Sequence, residues 1–318
     1  MRHYLDFEKP LAELEGKIDE LRRMSEADGL NIADEVAKLT EKSDRQLRAT
    51  YAKLTPWQKT QVARHPDRPR ASDYLAALIE EFTPLAGDRA FADDMAIVGG
   101  LGRYHGRPVV AIGTEKGADT DSRVRHNFGM ARPEGYRKAK RLIELAGRFG
   151  LPVLTFVDTS GAFPGIDAEA RGQAEAIARS IEACLEAPVP LVATVIGEGG
   201  SGGAIALAAG DAVLMLEHAI YSVISPEGCA AILWKEATQA PAAAEALKLT
   251  AEDLKRLGLI DAIVTEPLGG AHRDPAAAIA AVDQAITAAL APLLPLDAPV
   301  LKARRREKYL EMGREAVT

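Results

Sequence analysis

Apolar residues in the first part of the chain recur every three or four positions. Leu11, Leu14, Ile18 and Leu21 form one series, Ile32, Val36 and Leu39 a second, and Leu47, Tyr51 and Leu54 a third. That period places each series on one face of a helix. Asp28-Gly29 breaks the pattern and predicts a helical hairpin. Pro56, Pro66 and Pro69 then mark an irregular stretch. The stripes are narrow, so residues 1–85 read as a helical region that packs on something larger, either its own core or another subunit.

From about residue 86 the period shortens and glycine becomes frequent. Residues 96–101 and 108–114 flank His105-Gly106-Arg107, a hairpin signal. Residues 153–159 and 191–196 are unbroken apolar runs, as expected of strands covered on both faces. Between them Ala174, Ile177, Ala178, Ile181 and Leu185 keep helical spacing, which predicts a β-α-β unit and a parallel sheet. Residues 213–216, 219–224 and 259–265 read as further strands. Thr250 with Asp253 resembles a helix cap and Gly258 a helix stop. Ala-rich helix returns after residue 271 and ends in a basic run, Lys302 to Lys308, expected to be a solvated helix end. The expected division is a helical region over 1–85, an α/β core over 86–270 and a helical extension over 271–318.

Composition narrows the classes. The 318 residues carry 39 Lys+Arg against 46 Asp+Glu, a net charge of −7. That balance argues against nucleic-acid binding, which depends on neutralising phosphates. The most apolar stretch, 276–295, is interrupted by Asp283 and Gln284, so no membrane span is expected. The first residues lack the apolar core of a signal peptide. Two cysteines, Cys184 and Cys229, cannot build a disulfide framework or a four-cysteine zinc site, and both sit in apolar helical pattern as core thiols. The histidines show no metal-ligand spacing and no Walker phosphate loop occurs. A cytoplasmic enzyme or subunit follows as the expectation.

The most informative window is Gly197-Glu198-Gly199-Gly200-Ser201-Gly202-Gly203-Ala204, set between a buried strand and an apolar helix. Four readings compete. Backbone packed tightly on backbone would require the glycines for contact alone. Gly197-x-Gly199-x-x-Gly202 fits a dinucleotide fingerprint, with Glu217 near the place of a ribose-binding acid, but the following helix is short for a Rossmann crossover. Gly-x-Ser201-x-Gly fits a nucleophile elbow, with His218 or His272 as base and Asp261 as orienting acid. The fourth is an oxyanion hole, in which a helix starting at Gly202-Gly203 points unpaired amides outward. A second loop, Asp158-Thr159-Ser160-Gly161-Ala162-Phe163-Pro164-Gly165, ends the preceding parallel strand on the same sheet edge, where ligands of open α/β sheets sit. Two such bends side by side can give two N–H groups to one oxygen. The stretch 121–141 holds seven basic residues (Arg123, Arg125, Arg132, Arg137, Lys138, Lys140, Arg141) against Asp121 and Glu134, and reads either as a solvated helix face or as an attractant for coenzyme phosphates. Ser225-Pro226-Glu227-Gly228 reads as helix capping.

Several segments resemble the alpha-subunit family of bacterial acetyl-coenzyme A carboxylase carboxyltransferase: LDFEKPLAELEGKIDEL near the start, AGDRAFADDMAIVGGLGR (86–103), RHNFGMARPEGYRKAKRL (125–142), VIGEGGSGGA (195–204), YSVISPEGCAAILWK (221–235) and EPLGGAHRDP (266–275). They span nearly the whole chain in family order. The family usually has Pro and Tyr where Ser160 and Phe163 stand here. The resemblance implies a crotonase-type α/β fold of repeated β-β-α units. It implies transfer of a carboxyl group from carboxybiotin on a separate carrier protein to acetyl-coenzyme A, with this chain on the biotin side and without metal. The implied partners are a zinc-bearing beta subunit, the biotin carboxyl carrier protein and biotin carboxylase, with an alpha2beta2 heterotetramer as the assembly. Gly202, Gly203, Ala204, Gly161 and Ala162 are expected to stabilise charge on biotin, and Phe163, Pro164, Gly165, Gly199 and Gly200 to contact it.

Overall fold

The computed structural model describes residues 3–28 and 33–314. Helices α1 (Lys9–Asp28) and α2 (Ala33–Tyr51) pack against each other. Their facing stripe buries Leu11, Leu47 and Tyr51 with Val62, and Ile18 of α1 is buried as well. Gly29 and Ile32 of the expected hairpin lie outside the described residues. The arm packs on the chain's own core: Arg273 pairs with Glu15 at 2.9 Å and Glu8 at 3.3 Å. Helix α3 (Pro56–Ala63) starts at Thr55, whose hydroxyl accepts from the Gln58 amide while the Gln58 side chain accepts from the Thr55 amide.

The helical reading ends earlier than expected. After α4 (Ala71–Leu78), residues 80–84 form strand β1 (Glu80–Pro84), which pairs antiparallel with β2 (Ile97–Tyr104). The sequence of β1 is polar because it is an edge strand; what specifies it lies in its neighbour. A Cβ on Gly100 of β2 would stand 2.1 Å from the Thr83 carbonyl oxygen, so only glycine admits the edge strand there. Strand β3 (Arg107–Thr114) closes the expected hairpin on β2 through His105-Gly106, both at positive φ as a tight hairpin turn requires.

From β3 onward the sheet is parallel. Helices α5 (Thr120–Arg125) and α6 (Pro133–Phe149) lead to β4 (Val153–Thr159). Then come α7 (Ile166–Ala170), α8 (Gln173–Glu186), β5 (Leu191–Gly200) and α9 (Ser201–Ala208). Strands β6 (Ala212–Leu216) and β7 (Ile220–Ser222) precede α10 (Pro226–Leu233), α11 (Ala240–Leu247) and α12 (Ala251–Arg256). Strand β8 (Ala262–Val264) and helices α13 (Pro275–Leu290) and α14 (Ala298–Glu311) complete the chain. The sheet runs β1-β2-β3-β4-β5-β6-β8, and β7 pairs with the far end of β5. Strand β5 therefore has β6 beside its first half and β7 beside its last.

Three other expectations shift. Residues 197–200 are strand rather than turn. Helix α8 buries Gln173, Ala176, Ser180 and Cys184, one residue away from the isoleucine stripe. Small side chains let α8 approach α9, where Ser180 Oγ donates to the Ala206 carbonyl at 2.7 Å. The C-terminal basic run is not simply solvated: Arg305 is fully buried, pairs with Asp211 at 2.6 Å and donates to the carbonyls of Cys184, Ala187 and Val189 at the end of α8. Cationic donors suit a helix C-terminus, whose last carbonyls lack intrahelical partners.

Candidate functional site

Strands β4 and β5 end together, with Thr159 beside Gly199. Each then bends at the same sheet edge, β4 at Ser160-Gly161 and β5 at Ser201, whose φ is +51°. The bends touch through bare backbone. A Cβ on Gly200 would lie 2.3 Å from the Ser160 carbonyl, and one on Gly203 would lie 2.7 Å from the Gly161 carbonyl carbon and 3.0 Å from the Ala162 nitrogen. Gly161 has φ +146°, open only to glycine. The two loops singled out in the sequence are thus brought into contact.

The amides of the first turn of α9 have no intrahelical acceptors, and among the described residues no backbone carbonyl outside the helix accepts from Gly202 or Gly203. The helix dipole adds partial positive charge there. Ala204 follows in the same turn with its methyl in the core. On the neighbouring bend the expectation for Gly161 needs correction. Its N–H donates to Thr159 Oγ1 at 3.1 Å, and that hydroxyl donates back to its carbonyl at 2.8 Å. Thr159 fixes the bend, and Ala162 is the residue left to donate.

Phe163, Pro164 and Gly165 continue the first bend outward. The Phe163 amide donates to the Ala131 carbonyl at 3.0 Å, Gln173 Nε2 donates to the Phe163 carbonyl at 3.0 Å, and Gly165 lies under the Phe163 ring. The Arg132 guanidinium stacks 4.2 Å over that ring and pairs with Asp167 at 2.5 Å. Gly199 does not face the same space, because the Tyr221 ring occupies its Cβ position at 2.8 Å; Gly200 is taken up by its contact with Ser160.

Beside the bends lies a cleft of about 460 Å³ lined by Arg64, His65, Arg68, Arg70, Lys116, Arg123, Asp158, Ser160 and Glu198, among others. Burial opposes the charged form of Glu198, but Lys116 and Arg64 outweigh it and pull its carboxyl down to about 2. Burial likewise opposes the Glu266 charge, and Arg68, bound bidentately at 2.5 and 2.8 Å, brings it to about 2. No motif in the sequence marks Lys116 or Arg64 for this cleft. The only local trace of Lys116 was its place just past the end of a strand.

The rival readings lose their geometry. Asp158 fills the Cβ position of Gly197 at 2.4 Å, so the fingerprint glycines face protein rather than a pyrophosphate. His272 stacks on His65 at 3.7 Å, His218 is buried against Tyr51, and Asp261 accepts from the Val213 amide and pairs with Lys308, so no base–acid pair is assembled at Ser201. In the basic stretch, Arg132, Arg137, Lys138 and Lys140 all form ion pairs and Arg141 binds the carbonyls of Leu85 and Gly87. Only Arg123 of the seven reaches the cleft wall. No group of three or more potential metal-ligating His, Cys, Asp or Glu side chains occurs among the described residues, and no helix there is long and apolar enough to cross a membrane.

The sequence profile described as acetyl co-enzyme A carboxylase carboxyltransferase-like matches residues 4–313. The alpha subunit of acetyl-coenzyme A carboxylase carboxyl transferase from Gluconacetobacter diazotrophicus is 69% identical over 318 residues, covering all of both chains. The chain belongs to this carboxyltransferase family. The corresponding subunit of Acidiphilium cryptum is 69% identical over 313 residues, 98% of each chain. Among solved structures, the transcarboxylase 12S core with methylmalonyl-coenzyme A and methylmalonic acid bound aligns with TM-score 0.58 at 19% identity, over 73% of this chain and 42% of that one. A Pseudomonas malonate decarboxylase hetero-tetramer in complex with coenzyme A gives 0.57 at 18% identity, over 70% of this chain and 87% of that one. These distant likenesses show the fold alone, which this chain shares with the transcarboxylase core and the decarboxylase, and which agrees with the crotonase-type α/β fold that the family resemblance implied.

Proposed function

We propose that the chain is the biotin-side half of an acetyl-coenzyme A carboxylase carboxyltransferase, giving malonyl-coenzyme A in the first committed step of fatty acid synthesis. Full-length identity of 69% to alpha subunits of that name supports the reaction. The observation that carries the site is the seating of Gly203 against the Gly161–Ala162 peptide, 2.7 Å from a Cβ position. It brings the head of α9 and the first bend together with no side chain between them.

The ureido ring of biotin is flat, and these residues fit it: unclaimed amides lie where no Cβ blocks approach. When bound, carboxybiotin supplies carbon dioxide and takes negative charge onto its ureido oxygen. Gly202 and Gly203 of α9, with Ala162 opposite, donate N–H groups to that oxygen, each donor contributing roughly 3–4 kcal/mol of transition-state stabilisation. Ala204, the fourth residue of the helix, has its amide paired within α9 and contributes by starting the helix there. Phe163, Pro164 and Gly165, held by Arg132 and Gln173, form the outer wall and orient the ring. The chain supplies binding and charge stabilisation, and no side-chain acid–base step is assigned to it.

The acyl-coenzyme A oxyanion site and the zinc ribbon are assigned to a beta subunit, with the biotin carboxyl carrier protein and biotin carboxylase as further partners in an alpha2beta2-based cytoplasmic assembly. Exposure of Val223, just past β7, and of Ile232, Leu233 and Trp234 at the end of α10, 45–73% each, supports a partner surface. The test is co-expression with a beta subunit and assay of biocytin-dependent malonyl-coenzyme A decarboxylation. An assembled complex without that turnover overturns the proposal.

A further inference from the structure

One side chain ties the two bends together from beneath. Lys116, two residues past β3, places Nζ 2.7 Å from Asp158 Oδ1 and 2.7 Å from Glu198 Oε1. Asp158 stands two residues before Ser160, and Glu198 two residues before Gly200. The same Asp158 oxygen accepts the Glu198 amide at 2.8 Å. Arg64 of α3 binds the other Glu198 oxygen at 2.6 Å and reaches Glu227 of α10 at 2.5 Å. The Asp158 and Glu198 side chains are 8% and 9% exposed. Two carboxylates this close and this buried repel unless a cation lies between them.

We infer that Lys116 is a positioning residue, which sets the spacing of the two bends by clamping the carboxylate just before each. The inference rests on the proposed function, in that the bends are the site whose spacing matters. Removing the ammonium turns an attraction shared by both strand ends into a repulsion between them. Glu198 keeps Arg64, so β5 stays anchored while β4 and its bend are displaced. A misplacement on the order of 1 Å costs roughly 10²-fold in rate when donors must meet a developing charge.

The test uses the assembled complex with a beta subunit, reading kcat and the KM for biocytin in malonyl-coenzyme A decarboxylation. Lys116→Met should lower kcat by roughly 10²-fold while KM changes less than about threefold. Adding Asp158→Asn should restore kcat to within about tenfold of wild type, because the new amide donates to Glu198 and removes the repulsion. An unchanged kcat in Lys116→Met overturns the inference. So does a raised KM with unchanged kcat, or a kcat loss that Asp158→Asn leaves in place, since either marks a direct contact with substrate. Should Lys116→Met fail to assemble, assembly regained on adding Asp158→Asn supports the clamp and its continued absence overturns it. A wild-type complex without turnover defeats the proposed function instead, so the two failures are distinguishable.

Discussion

Two adjacent glycines at the head of α9 should respond oppositely to one methyl group. In Gly203→Ala the new carbon meets the Gly161 carbonyl carbon at 2.7 Å and the Ala162 nitrogen at 3.0 Å. Carbon atoms in contact settle near 3.5–4.0 Å, so the bends must part by about 1 Å. Backbone on both sides cannot rotate out of the way. A displacement of about 1 Å at the reacting centre costs roughly 10²-fold, equivalent to about 2.7 kcal/mol on the barrier. In Gly202→Ala the new carbon meets only Ile177, at 3.4 and 3.7 Å, an ordinary contact on the α8 side. Replacing a helical glycine there gains up to about 1 kcal/mol of stability and leaves the amide in place. Biocytin-dependent malonyl-coenzyme A decarboxylation by the complex, with thermal melting of each variant, separates the two. Wild-type turnover in Gly203→Ala, or equal damage in both variants, would refute the reasoning.

Ser201→Gly should keep turnover within about threefold and gain about 1 kcal/mol, since φ +51° is costly for serine and no base is assembled beside it; loss of activity on this change would restore a role for the hydroxyl. Arg305→Met should cost about 3–5 kcal/mol in urea unfolding, because it strands Asp211 and the end of α8, whereas Lys302→Ala should change little, since Lys302 is only half-buried and pairs with the exposed Glu186. Burial, with neighbouring His65 next in weight, holds the His272 imidazole down to about 3 from an ordinary 6.5. It stays neutral in the folded chain while the unfolded chain takes up a proton below 6.5, so stability is full above that pH and falls as pH drops toward 3. The slope attributable to this group approaches about 1.4 kcal/mol per pH unit, and His272→Asn should flatten it between pH 6.5 and 4.5. Below that range Glu198 and Glu266, ordinarily near 4.5, begin to add their own acid sensitivity.

The parts of the fold legible in the sequence were those whose cause is local. Strands β4 and β5 announce themselves because burial on both faces demands an unbroken apolar run, and the hairpin turn because His105-Gly106 must adopt positive φ. Both bends were visible for the same reason, as glycine clusters at strand ends. Strand β1 was hidden because its place is set by a missing side chain on Gly100, in another strand. Arg305 was hidden because a buried arginine on a basic helix looks like its solvated neighbours. The clamp was least visible: Lys116, Asp158 and Glu198 lie far apart in sequence, and only the parallel register of β3, β4 and β5 aligns them. Gly199 against Tyr221 and the Gly161 amide on Thr159 were hidden too, because sequence spacing does not tell which way a strand residue faces or whether a nearby hydroxyl accepts from an amide.

The pairing of Glu8 and Glu15 with Arg273 spans 265 and 258 positions, and Arg68 with Glu266 spans 198. On a ribosome the first helices emerge long before those partners exist. Until then the acidic groups have Tyr4, Tyr51 and the Leu5 amide as partners within the arm, and the early segment gains Arg273 only when almost the whole polypeptide has been made. Contacts of such long range slow folding and leave apolar surface uncovered during synthesis. A stop codon near residue 265 would therefore do more than trim the end; it would leave the beginning without its fastening.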